Sequence, residues 1–472
     1  MSGPGFLDLL ARDRALARGV DRLYGPHGAA VRGGVRGPSD GRLTDFAFAT
    51  GVECSYPTID HGRTRRDQMD ECGHYARYAE DFALVRDLGV KGLRYGLPYH
   101  RVHQGPDRYD WTFADQAMAE LRRLGVVPIL DLLHFGVPDW LGNFQNPELP
   151  RHFAAYAAAV ARRYPWVRFY TPVNEVYVAA QKSAREGAWN EQLRSDGAFV
   201  TALKHLVAAN TLAAVAIVAA RPDAVFIQSE TAEYTHDLRS PPAADIKLQN
   251  RRLFLALDLL YANAPDADLY EYLRDGGMTK AEYAWFMRGE PPGYHVMGND
   301  YYGRNEHIVT PGGAVVSGED VLGWSQVTAR YYRRYYKPVM HTETNVFDPE
   351  RAPNWLWKQW ANVERVRRDG VPVVGFTWYS LTDQIDWDTG LAEQNGTVNA
   401  CGLYDLDRGP RPVAAAYRRL IREHGRIPIL PHGDMYQLTD VPAELPPGAA
   451  DGTDPADGAG PARGGPALGA RS

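Results

Sequence analysis

From about residue 45 to residue 424 the chain alternates between short apolar runs and longer segments whose apolar residues recur with helical period. DFAFAT (45–50), KGLRYG (91–96), VVPILDLLH (126–134), VRFYTPVN (167–174), AVFIQSE (224–230), YHVMGNDYY (294–302), KPVMHTE (337–343) and VPVVGFTWYS (371–380) read as strands. The pattern after each predicts a helix, near 70–88, 113–124, 149–163, 195–220, 245–262, 320–335, 351–369 and 412–424. Strands separated by helices pair in parallel, because only a parallel pair needs so long a crossover. Eight such units fit a closed (β/α)8 TIM barrel of the α/β class better than an open sheet. Neither GxGxxG after a first strand nor GxxxxGK[ST] is present to support a nucleotide-binding open sheet.

The two ends break the pattern. Residues 1–42 are rich in Gly, Arg and Ala and read as a loop-rich extension, with a short helix over 5–19 and loop over 25–42. Residues 43–430 hold the barrel. The segment 440–472 is Pro, Gly, Ala and Asp with almost no large apolar side chain after Leu445, too little to offset the entropy of ordering, so it reads as disordered.

Composition narrows the possibilities. With 44% hydrophobic residues in 472, there is material for a large core. A formal charge of -6 supplies no basic field, so nucleic acid is not an expected partner. No run approaches 18 apolar residues and the start lacks a long apolar stretch, which predicts no membrane partner and a cytoplasmic location. Cys54, Cys72 and Cys401 show no CxxC spacing, and no HExxH occurs, so neither a metal nor another cofactor is expected.

Polar residues gather at the C-terminal ends of the predicted strands: Arg94, His134, Asn174, Glu175, Glu230, Tyr302, Glu343 and Trp378. That face of a barrel carries the chemistry. Glu175 ends the fourth strand in TPVNEVY and Glu343 the seventh in VMHTETN, 168 residues later. A barrel would bring both to one opening. Paired carboxylates there suit glycoside hydrolysis, one protonating the leaving oxygen while the other attacks the anomeric carbon or activates water.

These motifs resemble glycoside hydrolase family 1, the β-glucosidase and β-galactosidase family. The resemblance runs from about 44 to 424 and takes in TPVNE, HTETN, LGVKGLRYGLPYHRV, LLHFGVPDWL, NDYYGRN and GFTWYSLTDQIDWDTGL with CGLYDLD after it. It implies a retaining mechanism on a small-molecule glycoside, with Glu175 as acid/base and Glu343 as nucleophile. Arg94 and Tyr302 would hold the nucleophile. Asn174 and His134 would bind sugar hydroxyls, Trp378 would floor the sugar, and Asp386, Trp387 and Glu53 would grip its far side. The chain also departs from the family. A usual Gln after the first strand is replaced by Glu53 or Cys54, a Glu-Trp pair by Asp386-Trp387, and an Asn on the sixth strand by Asp300. A shorter Asp386 is expected to lose or rewire a hydrogen bond. The more acidic pocket favours a cationic or neutral sugar over a phosphorylated one. A transglycosidase on the same site and a non-catalytic sugar-binding barrel are the rival readings.

Overall fold

The computed structural model describes residues 4–24 and 46–427. The loop expected at 25–42 and the tail expected at 440–472 lie outside the described residues. Eight strands close a barrel: β1 (Ala47–Val52), β2 (Gly92–Gly96), β3 (Val127–Asp131), β4 (Phe169–Thr171), β5 (Val225–Thr231), β6 (Tyr294–Asp300), β7 (Val339–Glu343) and β8 (Val373–Trp378). Each pairs in parallel with its sequence neighbours, and β8 closes on β1 through Ala47 opposite Gly375 and Thr50 opposite Trp378. All the C-terminal ends therefore point to one face.

The crossovers are helical: α1 (His74–Leu88), α2 (Thr112–Leu124), α3 (Leu149–Arg163), α4 (Asp196–Ala220), α5 (Gly323–Tyr335), α6 (Ala352–Arg368) and α7 (Pro412–His424). Between β5 and β6 the expected single helix is a broken series that begins with Ala244–Arg252 and Leu255–Leu260. Local signals explain several boundaries. Gly89 and Gly125 follow α1 and α2 at φ +81° and +71°, a left-handed stop that glycine adopts at little cost before β2 and β3 begin. Ser195 caps α4 by accepting from the Ala198 N–H. α4 is long and apolar enough to cross a membrane by composition, but 83% of that stretch is buried within the protein.

The inside of the barrel is filled by Ala49, Ile129, Val225, Ile227, Val296, Met340 and Val374, one or two from most strands. Strand alternation sends the other side chains outward into a larger core against the helices. The N-terminal segment carries two short helices, Phe6–Arg12 and Arg14–Leu23, rather than one over 5–19. Asp13 divides them and caps the second by accepting from the Leu16 N–H. Phe6 meets Trp285 edge to face at 5.6 Å, so this segment joins the barrel's core.

Candidate active site

At the C-terminal mouth, the side with the most internal bonds is built on Arg94, at the third position of β2 and fully buried. Its Nη1 donates to Glu343 Oε1 at 2.6 Å and lies 2.6 Å from Glu53 Oε1. Its Nη2 donates to Asn174 Oδ1 at 2.9 Å. Tyr302 donates its hydroxyl to Glu343 Oε2 at 2.6 Å, so both oxygens of that carboxylate are engaged. Asn174 continues the chain to His134 Nε2 at 3.1 Å, and His134 Nδ1 meets Asp131 Oδ2 at 2.6 Å. Each charge-assisted contact of this length is about twice as strong as a neutral one. Glu53 is held in an ion pair, but neither of its oxygens accepts a hydrogen bond among the described residues. Burial pushes its carboxyl well above the usual range, and the neighbouring Glu343, Asp131 and Asp300 add to this against Arg94. Its segment lies close under β2 because Gly96 has no side chain; a Cβ there would sit 2.2 Å from the Cys54 nitrogen.

The opposite side belongs to Glu175, which starts a short helix (Val176–Ala180) at φ +43°, ψ +60°. A non-glycine residue there is strained by on the order of 1 kcal/mol or more and needs support from around it. Its own N–H donates to the Ser229 carbonyl at 2.9 Å. The carboxylate of Glu230 accepts from the next two N–H groups, Val176 at 2.9 Å and Tyr177 at 3.3 Å. The Glu175 carboxylate accepts from the Thr231 hydroxyl. Burial raises its pKa well above the ordinary carboxyl value, with Asp300 and Glu343 pushing in the same direction.

Asp300 ends β6 between the two sides. Both of its oxygens accept from the Ser229 hydroxyl, at 2.8 and 2.7 Å. Oxygens of Glu175, Asp300 and Glu343 lie within 4.8 Å of one another. Burial, then the charge of Glu343, push Asp300 up to about 7 despite Arg94. Above this floor lies a cavity of about 320 Å³ lined by Glu175, Glu343, Tyr302, Trp387, Phe135 and Trp189, among others. Its apolar rings can cover a flat apolar face, and the Trp387 N–H has no hydrogen-bond partner among the described residues. A second acidic group, Glu53, Asp131 and His134, also has its ligand atoms within 4.8 Å, but His134 is already engaged by Asp131 and Asn174.

Eight of the ten residues to which the resemblance gives a role thus meet at the mouth: Glu53, Arg94, His134, Asn174, Glu175, Tyr302, Glu343 and Trp387. Two do not. Trp378, expected as a floor, turns outward into the core and donates its indole N–H to the Cys401 carbonyl at 3.0 Å. Alternation gives the inward place to the next residue, Tyr379, which packs with Tyr302 and Trp387. Asp386, expected to grip the sugar, is spent on its own loop. It accepts from the N–H groups of Asn395, Gly396 and Thr397 at 2.9, 3.0 and 2.7 Å and from Arg66 at 2.9 Å. Burial opposes its charge, but these donors outweigh burial and hold it below its usual value. Asp131, Ser229 and Thr231 were not anticipated. Asp131 had a signal, as the one charged residue within VVPILDLLH.

The fold and mouth define a (β/α)8 barrel with a carboxylate-lined site, and the sequence comparisons narrow that class. Residues 55–256 match the model of Glycosyl hydrolase family 1. Over that segment, somewhat less than half of its length, the chain is similar to that family. It is 32% identical over 111 residues to a 6-phospho-beta-galactosidase of Streptococcus equi subsp. zooepidemicus, 22% of this chain and 23% of that protein. It is 34% identical over 125 residues to the Thermostable beta-glucosidase B of Thermobispora bispora, 25% and 26% of the two. It is 23% identical over 417 residues to mouse (Mus musculus) Klotho, 80% of this chain and 40% of Klotho. The chain thus spans about a quarter of the length of the two bacterial relatives. Among solved structures it resembles the family 1 β-glucosidase of Thermotoga maritima, with a TM-score of 0.67, 16% identity, and 81% of this chain and 98% of that one covered. The complex of that β-glucosidase with cyclophellitol gives a TM-score of 0.68 at 17% identity, covering 81% of this chain and 99% of that one.

Proposed function

We propose that the chain is a retaining β-glycosidase that cleaves small glycosides by double displacement. One observation carries the reading: oxygens of Glu175 and Glu343 approach within 4.8 Å across the mouth, in opposite surroundings. That spacing suits a retaining pair, about 5–5.5 Å between carboxyl groups, and leaves no room for the water an inverting pair needs at about 6.5–9.5 Å. Glu343 accepts from Arg94 and Tyr302 on its two oxygens, an arrangement for an anion that attacks the anomeric carbon. Glu175 is buried, faces two other carboxylates and holds its proton to higher pH, as a general acid must. In the first step the bond from Glu343 to the anomeric carbon forms, the bond to the leaving oxygen breaks, and that oxygen takes the Glu175 proton. In the second, water attacks the anomeric carbon, the ester to Glu343 breaks, and Glu175 takes the water's proton.

In this reading Asn174 and His134 would bind sugar hydroxyls, and Trp387, which lines the cavity, would cover an apolar face. The test is a panel of 4-nitrophenyl glycosides followed by trapping with the 2-fluoro analogue of the sugar that turns over. We expect one label per chain, on Glu343, and loss of labelling in Glu343→Gln. A label elsewhere, or full activity in that variant, rejects the assignment. Binding of glycosides without turnover of any activated aryl glycoside would favour a non-catalytic sugar-binding barrel.

A further inference from the structure

A pair of glutamates is enough for double displacement, yet this site holds a third carboxylate. Asp300 is fully buried, and one of its oxygens lies within 4.8 Å of an oxygen of both Glu175 and Glu343. It is anchored from the neighbouring strand β5, where the Ser229 hydroxyl donates to its carboxylate. Glu343 adjoins it on β7, and Glu175 and Glu230 adjoin it on the β4 and β5 side. Arg94 and Glu53 face it from across the barrel, and Tyr302 follows it in its own loop. The one cation in this group, Arg94, is already shared by Glu343, Glu53 and Asn174.

We propose that Asp300 is a positioning residue that takes over the negative charge next to Glu175 when Glu343 becomes an ester, and so keeps Glu175 basic enough to accept the proton of water. This rests on the roles assigned to the pair above. The reasoning is electrostatic. While Glu343 is an anion it opposes ionisation of both Glu175 and Asp300, and its charge is the largest influence on Asp300 after burial. Esterification removes that charge. Glu175 has then just lost its proton, and without another anion nearby it would be a weaker base for the second step. Asp300, poised near 7 while Glu343 is charged, ionises more readily once Glu343 is neutral and releases its proton to bulk water. The negative charge that faces Glu175 is thus retained through the intermediate, in a different carboxylate.

The experiment compares wild type, Asp300→Asn and Glu175→Gln on two 4-nitrophenyl or dinitrophenyl substrates of the accepted sugar. One substrate has a good leaving group, so that deglycosylation limits kcat. The other has a poor one, so that glycosylation limits kcat/KM. In Asp300→Asn we expect the acidic limb of the deglycosylation profile to move down by about one pH unit, with a lower plateau. The alkaline limb of kcat/KM should move down as well. Both limbs staying where wild type has them overturns the proposal. If Asp300→Asn does not fold, Ser229→Ala removes a donor to the Asp300 anion and should shift the same limbs in the same direction by less; unmoved limbs there also overturn it. The roles of the pair are checked separately: if Glu175→Gln turns over the poor substrate like wild type, the assignment of the acid fails whatever Asp300 does.

Discussion

The two sides of the barrel mouth use the same residue type under opposite local rules. On the Arg94 side, Glu343 receives a guanidinium and a phenol, and Asn174, His134 and Asp131 extend the network behind it. On the Glu175 side the carboxyl has a single hydroxyl donor, from Thr231, two carboxylate neighbours and a strained backbone. Donors stabilise a charge and burial without donors opposes it, so the Glu343 and Glu175 carboxyls stand in opposite surroundings. The lesson is that charge state here is set by what each strand end brings to its neighbour. Arg94 comes from β2 and Tyr302 from beyond β6, and both reach Glu343 on β7.

The largest effect should come from breaking the Arg94 side. Arg94→Met leaves Glu343 and Glu53 buried without their shared cation, so we expect a loss of about 3–5 kcal/mol in unfolding free energy together with most of the turnover. Adding Glu53→Gln to Arg94→Met removes one of the stranded charges and should restore part of the stability but not the activity. Guanidinium unfolding and aryl glycoside turnover measure both; an Arg94→Met variant as stable as wild type would remove the Arg94 network from the comparison. A smaller effect is expected from Tyr302→Phe, which deletes one donor to Glu343 and leaves the ring in place. A hydrogen bond to a charged group is worth about 1.5–3 kcal/mol, so kcat/KM should fall about tenfold or more. The same loss on a substrate that bypasses Glu343 attack would show that Tyr302 acts on packing instead.

Much of this arrangement was legible in the sequence because strand ends are marked chemically. Each barrel strand is largely an apolar run, and the polar residues at or past its end stand at the mouth, as Asn174, Glu175, Asp300 and Glu343 do. What could not be read is parity and satisfaction. Whether Trp378 or Tyr379 faces inward depends on a one-residue register, and both are large aromatic residues in the same run. Asp386 looks like a ligand-binding carboxylate until its loop is folded, when three backbone N–H groups close around it. Ser229 and Thr231 are ordinary strand residues whose hydroxyls acquire a role only through the neighbours they meet. The Glu230 carboxylate, on the predicted fifth strand, supports Glu175 through the backbone of the following helix, a contact no spacing reveals.

The smallest of these effects concerns stability against pH. Burial pushes Glu230 up to about 8 and Asp300 up to about 7, both above their values in the unfolded chain. Between its unfolded and folded values each of these two groups holds more proton in the folded chain, so its own contribution to stability falls as pH rises through that window. Asp386 contributes with the other sign: its folded value is depressed, so its stabilisation is present above the unfolded value and is lost only as pH falls below about 4. We expect wild type to lose stability relative to Glu230→Gln as pH rises from 5 to 8, by about 1 kcal/mol per pH unit. Glutamine can still accept one of the two N–H groups that Glu230 holds, so the fold near Glu175 should survive the change. Guanidinium midpoints at four or five pH values give the slope directly. The same slope in the variant would mean that Glu230 is ionised in the folded chain and that the acid side of the mouth carries more charge than its burial implies.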